Sequence, residues 1–170
     1  MRRLAGFAVV MLCAAAAMAQ TKGMQPVVAP DGTVLVTAMS ISADYRMTAE
    51  LVAISPAGTR LWSWEGGAMM HSIAVGGTRV IVARNGGGIA MPMFGDSPGP
   101  QEIVALSLAT GTVQWRRELS GFASGIEVSG NRVYVVTGAV AAMMPGRGGA
   151  SLVALDANTG AVLWTTALRP

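Results

Sequence analysis

Residues 152–164 read LVALDANTGAVLW, and two earlier stretches of the chain repeat this pattern. Residues 103–115 read IVALSLATGTVQW, and residues 51–62 read LVAISPAGTRLW. The tryptophans that close the three stretches lie 53 and 49 residues apart. Such a recurrence, with a period of about 50 residues, is typical of proteins that stack copies of one supersecondary unit.

Each unit has two halves, and both predict paired strands. In the first half, two β-branched runs flank a tight turn, at Asp31-Gly32, Gly76-Gly77 and Ser129-Gly130-Asn131, which is the signature of a β-hairpin. In the second half, a Val-Ala strand and a Trp-bearing strand flank a turn that contains glycine. The sequence therefore predicts an all-β fold with four antiparallel strands in each unit.

The repeat resembles the tryptophan-docking blade of the PQQ-like (quinoprotein-type) β-propellers. Residues 152–164 match the blade pattern almost completely, and the second copy has Ser107 in place of the aspartate. The first copy has Ser55 and Ala57 for the aspartate and the threonine and is one residue shorter before its tryptophan. The resemblance implies three four-stranded blades, at about 26–66, 70–121 and 123–168. It also implies that six residues dock neighbouring blades onto each other: Trp62, Trp115, Trp164, Gly58, Gly111 and Gly160.

Three blades are fewer than a closed propeller contains, since closed rings have about four to eight. We therefore expect an incomplete or open ring. Three arrangements remain open at this point: a portion of a longer propeller, chains that self-associate to complete a propeller, or an open stack.

The N-terminus resembles a cleavable signal peptide over residues 1–19. Arg2 and Arg3 form a positive segment, Leu4–Ala17 is apolar, and small residues occupy the positions before a cleavage site after Ala19. We expect export to the periplasm or secretion, with residues 20–170 as the propeller repeat domain. An uncleaved anchor is the less favoured alternative, because the apolar stretch is short for a membrane span.

The chain has one cysteine, Cys13, inside this predicted signal peptide. Lipidation there is disfavoured, because Leu12 stands where a lipidation signal has a small residue. If cleavage follows Ala19, the mature chain has no cysteine and neither disulfide nor thiolate chemistry.

The charge of the chain argues against nucleic acid as a partner. The chain has twelve Lys and Arg and nine Asp and Glu, which gives a net charge of +3, and Arg2 and Arg3 lie in the predicted signal peptide. Ten basic and nine acidic residues then remain, without a basic run. The electrostatic footprint of a nucleic-acid-binding protein is absent.

Three predicted insertions, at about 38–49, 84–101 and 138–150, separate the second and third strands of the units. In a propeller these connections emerge on one face, together with the segment 66–71. Insertions gathered on one face of a repeat protein commonly form its binding surface. This face collects most of the methionines after residue 19: Met39, Met47, Met69, Met70, Met91, Met93, Met143 and Met144.

The methionines permit three interpretations. They fill gaps between loops and blades, they form an adaptable apolar surface for a protein or peptide partner, or their thioethers bind a soft metal such as Cu(I). The candidate metal ligands are Met69, Met70, His71, Met91 and Met93.

The resemblance also raises PQQ-dependent dehydrogenase activity. Such enzymes hold the quinone and a calcium ion with acidic and amide side chains beside a catalytic aspartate. The acidic residues of the chain show no matching cluster, and Asp156 and Asn158 are expected to bond the backbone of a blade turn. We therefore predict no catalytic residue, no PQQ and no enzyme, but a binding module that uses the insertion-bearing face. Copper binding is the alternative, and a part in a PQQ-dependent dehydrogenase is the least favoured.

Overall fold

The computed structural model describes residues 25–41, 47–67, 70–85, 101–138 and 149–168. These residues form twelve β-strands in three four-stranded antiparallel sheets. Each sheet is called a blade below and is numbered in chain order. None of the described residues forms a helix of the length and apolarity that crossing a membrane requires.

The strands of each blade follow one another in sequence and in space. Blade 1 contains β1 (Val27–Val28), β2 (Val34–Ile41), β3 (Met47–Ile54) and β4 (Arg60–Gly67). Blade 2 contains β5 (Met70–Gly76), β6 (Arg79–Asn85), β7 (Gln101–Ser107) and β8 (Val113–Leu119). Blade 3 contains β9 (Phe122–Ser129), β10 (Arg132–Gly138), β11 (Ala150–Asp156) and β12 (Val162–Ala167). The prediction of an all-β fold with three four-stranded blades and no closed ring is thereby confirmed.

The first predicted insertion, at 38–49, is wrong in its extent. β2 and β3 continue through it as a paired ladder, from Ala38 opposite Glu50 to Ile41 opposite Met47. The hydroxyls of Ser40 and Thr48 bond each other at 2.7 Å on this extension. Cross-strand pairing of this kind stabilises a sheet, so Met39 and Met47 belong to strands, and only residues 42–46 fall outside the described part.

Two hydrophobic cores lie between the blades. Each blade has a forward face, toward the next blade, and a rear face, toward the preceding one. The first core joins the forward face of blade 1, including Leu35 and Leu51, to the rear face of blade 2, including Val80 and Val104. The second core joins the forward face of blade 2 to the rear face of blade 3 in the same way. The blades thus bury their apolar faces against each other, as repeat units that cannot do so alone must.

Candidate functional site

Two tryptophans join the blades at the end of the molecule that carries the turns between the third and fourth strands. The Trp62 indole Nε1 donates a hydrogen bond to the backbone oxygen of Leu108, at 2.8 Å. The Trp115 indole makes the same bond to the backbone oxygen of Ala157, at 2.9 Å. Each bond runs from the fourth strand of one blade to the turn of the next, so the indole N–H groups, buried at Trp115 and partly buried at Trp62, are satisfied.

Glycine is required beneath both indole rings. Gly111 has a φ of +70° and Gly160 a φ of +68°, a region that other residues adopt only with strain. A Cβ atom added to Gly111 would lie 2.5 Å from Trp62, and one added to Gly160 would lie 2.6 Å from Trp115. These two glycines therefore set both the turn and the distance between blades.

The first glycine and the last tryptophan of the six predicted docking residues, Gly58 and Trp164, have no docking partner in the part of the chain that the structure describes. Gly58 keeps the positive φ of +81°, but an added Cβ would meet nothing within 4 Å. Trp164 is 39% exposed, whereas Trp115 is 9% exposed. The Trp164 ring lies beside Tyr134, with centroids 6.1 Å apart.

Asp156 organises the turn on which Trp115 docks. Its Oδ1 accepts hydrogen bonds from the backbone N–H groups of Asn158 and Thr159, each at 2.9 Å, and from the Thr159 hydroxyl. Its Oδ2 accepts the Asn131 side-chain amide at 2.8 Å. Partial loss of hydration raises the pKa of Asp156, but these hydrogen bonds from Thr159, Asn158 and Asn131 outweigh it and hold the pKa below its usual value of 3.8. The predicted bonding of Asp156 to its own turn is confirmed.

The opposite end of the molecule carries the insertions, and buried and partly buried polar contacts join the blades at its base. The Arg84 side chain binds Glu102 Oε2 at 2.5 Å through Nε and again through its terminal nitrogen, and it donates to the backbone oxygen of Gly66 in blade 1 at 2.9 Å. The Gln101 amide donates to the Arg84 backbone oxygen at 2.5 Å and accepts the N–H of Ala123 in blade 3 at 3.1 Å. One network therefore ties all three blades together beneath the insertions.

Two more side chains extend this network to the surface. The Arg84 guanidinium lies 5.8 Å from the centroid of the Trp64 ring, within range of a cation–π contact. Arg116 approaches Glu102 at 3.6 Å and is 47% exposed. The sequence interpretation missed this network, although a signal existed: Arg84 and Glu102 are opposite charges at the two borders of one insertion, and they pair across the ladder.

The candidate metal ligands fall mostly outside the described residues. Met69, Met91 and Met93 lie there, and so does the side chain of His71, whose backbone belongs to β5. Met70 is 7% exposed and contributes to the first core. Among the described residues, no three His, Cys, Asp or Glu side chains are placed to hold a metal ion. Copper binding stays a prediction.

The profile of the family described as outer membrane protein assembly factor BamB matches residues 47–170. The chain belongs to this family. The repeat recognised in the sequence is therefore a PQQ-like propeller blade, as the resemblance predicted. No curated protein matches the chain in sequence.

Solved structures show the same fold at low sequence identity. BamB from Moraxella catarrhalis is 17% identical with a TM-score of 0.59, and the alignment covers 88% of this chain and 36% of that one. The quinohemoprotein alcohol dehydrogenase from Comamonas testosteroni is 22% identical with a TM-score of 0.55, covering 86% and 21%. The β-propeller domain of the trilobed protease from Pyrococcus furiosus, described as having an open velcro topology, is 13% identical with a TM-score of 0.56, covering 86% and 42%. The chain thus spans between 21% and 42% of the length of these relatives.

Proposed function

We propose that this BamB-family propeller is a non-catalytic module that binds a protein partner through its insertion-bearing face. The observation that supports this proposal most directly is the network of Arg84, Glu102 and Gln101, which joins all three blades at the base of that face. Binding loops commonly stand on a rigid scaffold of this kind. The family's description as an assembly factor supports a protein rather than a small molecule as the partner.

The surface chemistry at this end favours a partner with an apolar segment. Met39 is 39% exposed near the tip of blade 1, and the predicted insertions contribute Met91, Met93, Met143 and Met144 from outside the described residues. Methionine side chains adapt to partners of different shape. We place this contact in the periplasm or outside the cell. The predicted signal peptide at 1–19 and the family's description as an outer membrane protein assembly factor support this placement.

Site-specific photo-crosslinking tests which face binds. A photoreactive residue replaces Met91 or Met93 on the insertion-bearing face, and in a matched variant it replaces the exposed Asn158 on the opposite face. In cells that export the protein, we expect a discrete adduct with one partner from positions 91 and 93 and none from position 158. Adducts of equal yield from both faces, or from position 158 alone, would refute the assignment of the face.

A second candidate partner is another copy of the same chain. The half-buried apolar residues on the rear face of blade 1 favour this candidate, because their counterparts in blades 2 and 3 are fully covered.

A further inference from the structure

We infer that two copies of the chain dock head to tail, with Trp164 of each copy seated on the turn Ser55–Thr59 of the other, to close a six-bladed ring. This inference deepens the second candidate of the proposed function and does not involve the insertion-bearing face. The two proposals therefore fail in separate experiments.

The rear face of blade 1 has the chemistry of a buried inter-blade face. Four positions are apolar in all three blades, and register alignment makes them equivalent. In blades 2 and 3 each of these side chains is at most 5% exposed: Val80, Val82, Val104, Leu106, Val133, Val135, Val153 and Leu155. In blade 1 the equivalents are Val34, Val36, Val52 and Ile54, which are half-buried and belong to neither core.

The forward face of blade 3 is the complementary surface. In blade 2, Ile81 and Ile103 are fully buried and Trp115 nearly so. Their equivalents in blade 3 are Tyr134, Leu152 and Trp164, of which the first two are half-buried and the last is exposed. Terminal faces of repeat proteins that lie in solvent are polar, but the rear face of blade 1 and the forward face of blade 3 are apolar at these positions.

The turn in blade 1 keeps the elements that a tryptophan needs for docking. Gly58 has the positive φ of Gly111 and Gly160, and the space over its Cα is open. Pro56 stands at the position of Leu108, whose carbonyl accepts the Trp62 indole N–H. Pro56 lacks the N–H by which Leu108 binds Thr78, but it packs closely on Gly32, where an added Cβ would lie 2.9 Å from the proline ring.

A second copy is the occupant that matches both ends at once. One copy offers a tryptophan face and the other a glycine turn, so the same contact forms twice around a two-fold axis. A head-to-tail contact gives a closed ring when its rotation closes, and six blades lie within the range of closed propellers.

The test is the solution mass of the full chain, measured by light scattering after size exclusion over a range of concentrations. We expect a discrete dimer. Trp164→Ala should raise its dissociation constant at least about thirtyfold, the effect expected for a buried tryptophan at the centre of an interface. Gly58→Ala should also dissociate the dimer, because the added Cβ would occupy the place of the indole.

Two matched variants separate docking from folding. Met39→Ala removes a side chain as exposed as Trp164, 39% in each case, but lies on the insertion-bearing end. Gly77→Ala also places an L-residue in the left-handed region, since Gly77 has a φ of +57° against +81° at Gly58, and an added Cβ would have no neighbour within 4 Å. Both should leave the dimer intact.

A monomer at every concentration would overturn the inference. A dimer that survives both Trp164→Ala and Gly58→Ala would overturn it too, because the contact would then lie elsewhere. Open polymers would overturn the closed six-bladed ring, because copies would then dock head to tail without closing. A stable complex with a different blade-bearing chain in place of the dimer would show that another occupant covers these faces.

Discussion

At the scale of single residues, the molecule depends on the contact between an indole ring and a glycine Cα. Trp62 on Gly111 and Trp115 on Gly160 are two copies of that contact, each secured by an indole N–H bond to a backbone oxygen. Neither residue of such a pair can be replaced alone without loss of stability. A larger residue at the glycine displaces the indole ring, and a smaller residue at the tryptophan leaves a cavity.

Gly111→Ala tests this contact. An L-residue with a φ near +70° costs about 1–2 kcal/mol, and overpacking against Trp62 adds about 1–3 kcal/mol. We expect Gly111→Ala to lower the free energy of unfolding, measured with urea, by the sum of both effects. Gly77→Ala should show the backbone cost alone. Equal losses in the two variants would mean that Trp62 does not rest on Gly111.

At the scale of elements, the turn between the third and fourth strands differs from blade to blade. Blade 3 has the full set of hydrogen bonds around Asp156, blade 2 has Ser107 at that position, and blade 1 has a turn one residue shorter, beginning at Ser55. Only the turn of blade 3 therefore depends on a carboxylate.

The stability of that turn should depend on pH. The pKa of Asp156 is lower in the folded protein than the usual 3.8, because the turn donates hydrogen bonds to the carboxylate. The stabilisation is therefore complete above the unfolded pKa and is lost as the pH falls through the folded pKa. Asp156→Ala should be less stable than the parent at pH 7, and the difference should shrink below about pH 4.

Ser107→Ala in blade 2 is the control, because serine does not titrate in this range and its effect should be the same at pH 7 and pH 3. Thermal unfolding at both values measures each difference. An Asp156→Ala effect that stays constant over the same interval would contradict the role of the charged carboxylate.

At the scale of the whole molecule, three blades form two joints and leave two sheet faces without a described neighbour. The same residue type therefore has different importance at different positions. Trp115 lies inside a joint, and Trp164 lies at the end of the stack.

Trp115→Ala should cost about 3–5 kcal/mol of unfolding free energy, as for other buried aromatic residues. At concentrations where the chain is monomeric, Trp164→Ala should cost clearly less, because its ring contacts Tyr134 and, in the part of the chain that the structure describes, it is 39% exposed. Urea unfolding of both variants gives the comparison. A loss below about 1 kcal/mol for Trp115→Ala would mean that the ring is not part of the core.

The sequence predicted the repeat and the four strands of each unit, because both recur at a nearly fixed period, and four of the six residues that the resemblance assigned to docking, Trp62, Trp115, Gly111 and Gly160, join described blades. It failed where a feature occurs once. Among the described residues, the ladder between β2 and β3 runs to Ile41 opposite Met47, two pairs beyond the last pair described in blades 2 and 3. The network of Arg84, Glu102 and Gln101 joins residues of three blades, and a single sequence does not reveal contacts between units.

The indole-on-glycine joint gives the stack a direction. Each unit offers a tryptophan to the unit after it and a glycine turn to the unit before it, so a blade cannot be turned around and still fit. A blade carries both parts of the joint within its own span of about 50 residues. Duplication of such a segment would add a unit whose two joints are already complete, so propellers of different blade number can arise by copying rather than by redesign.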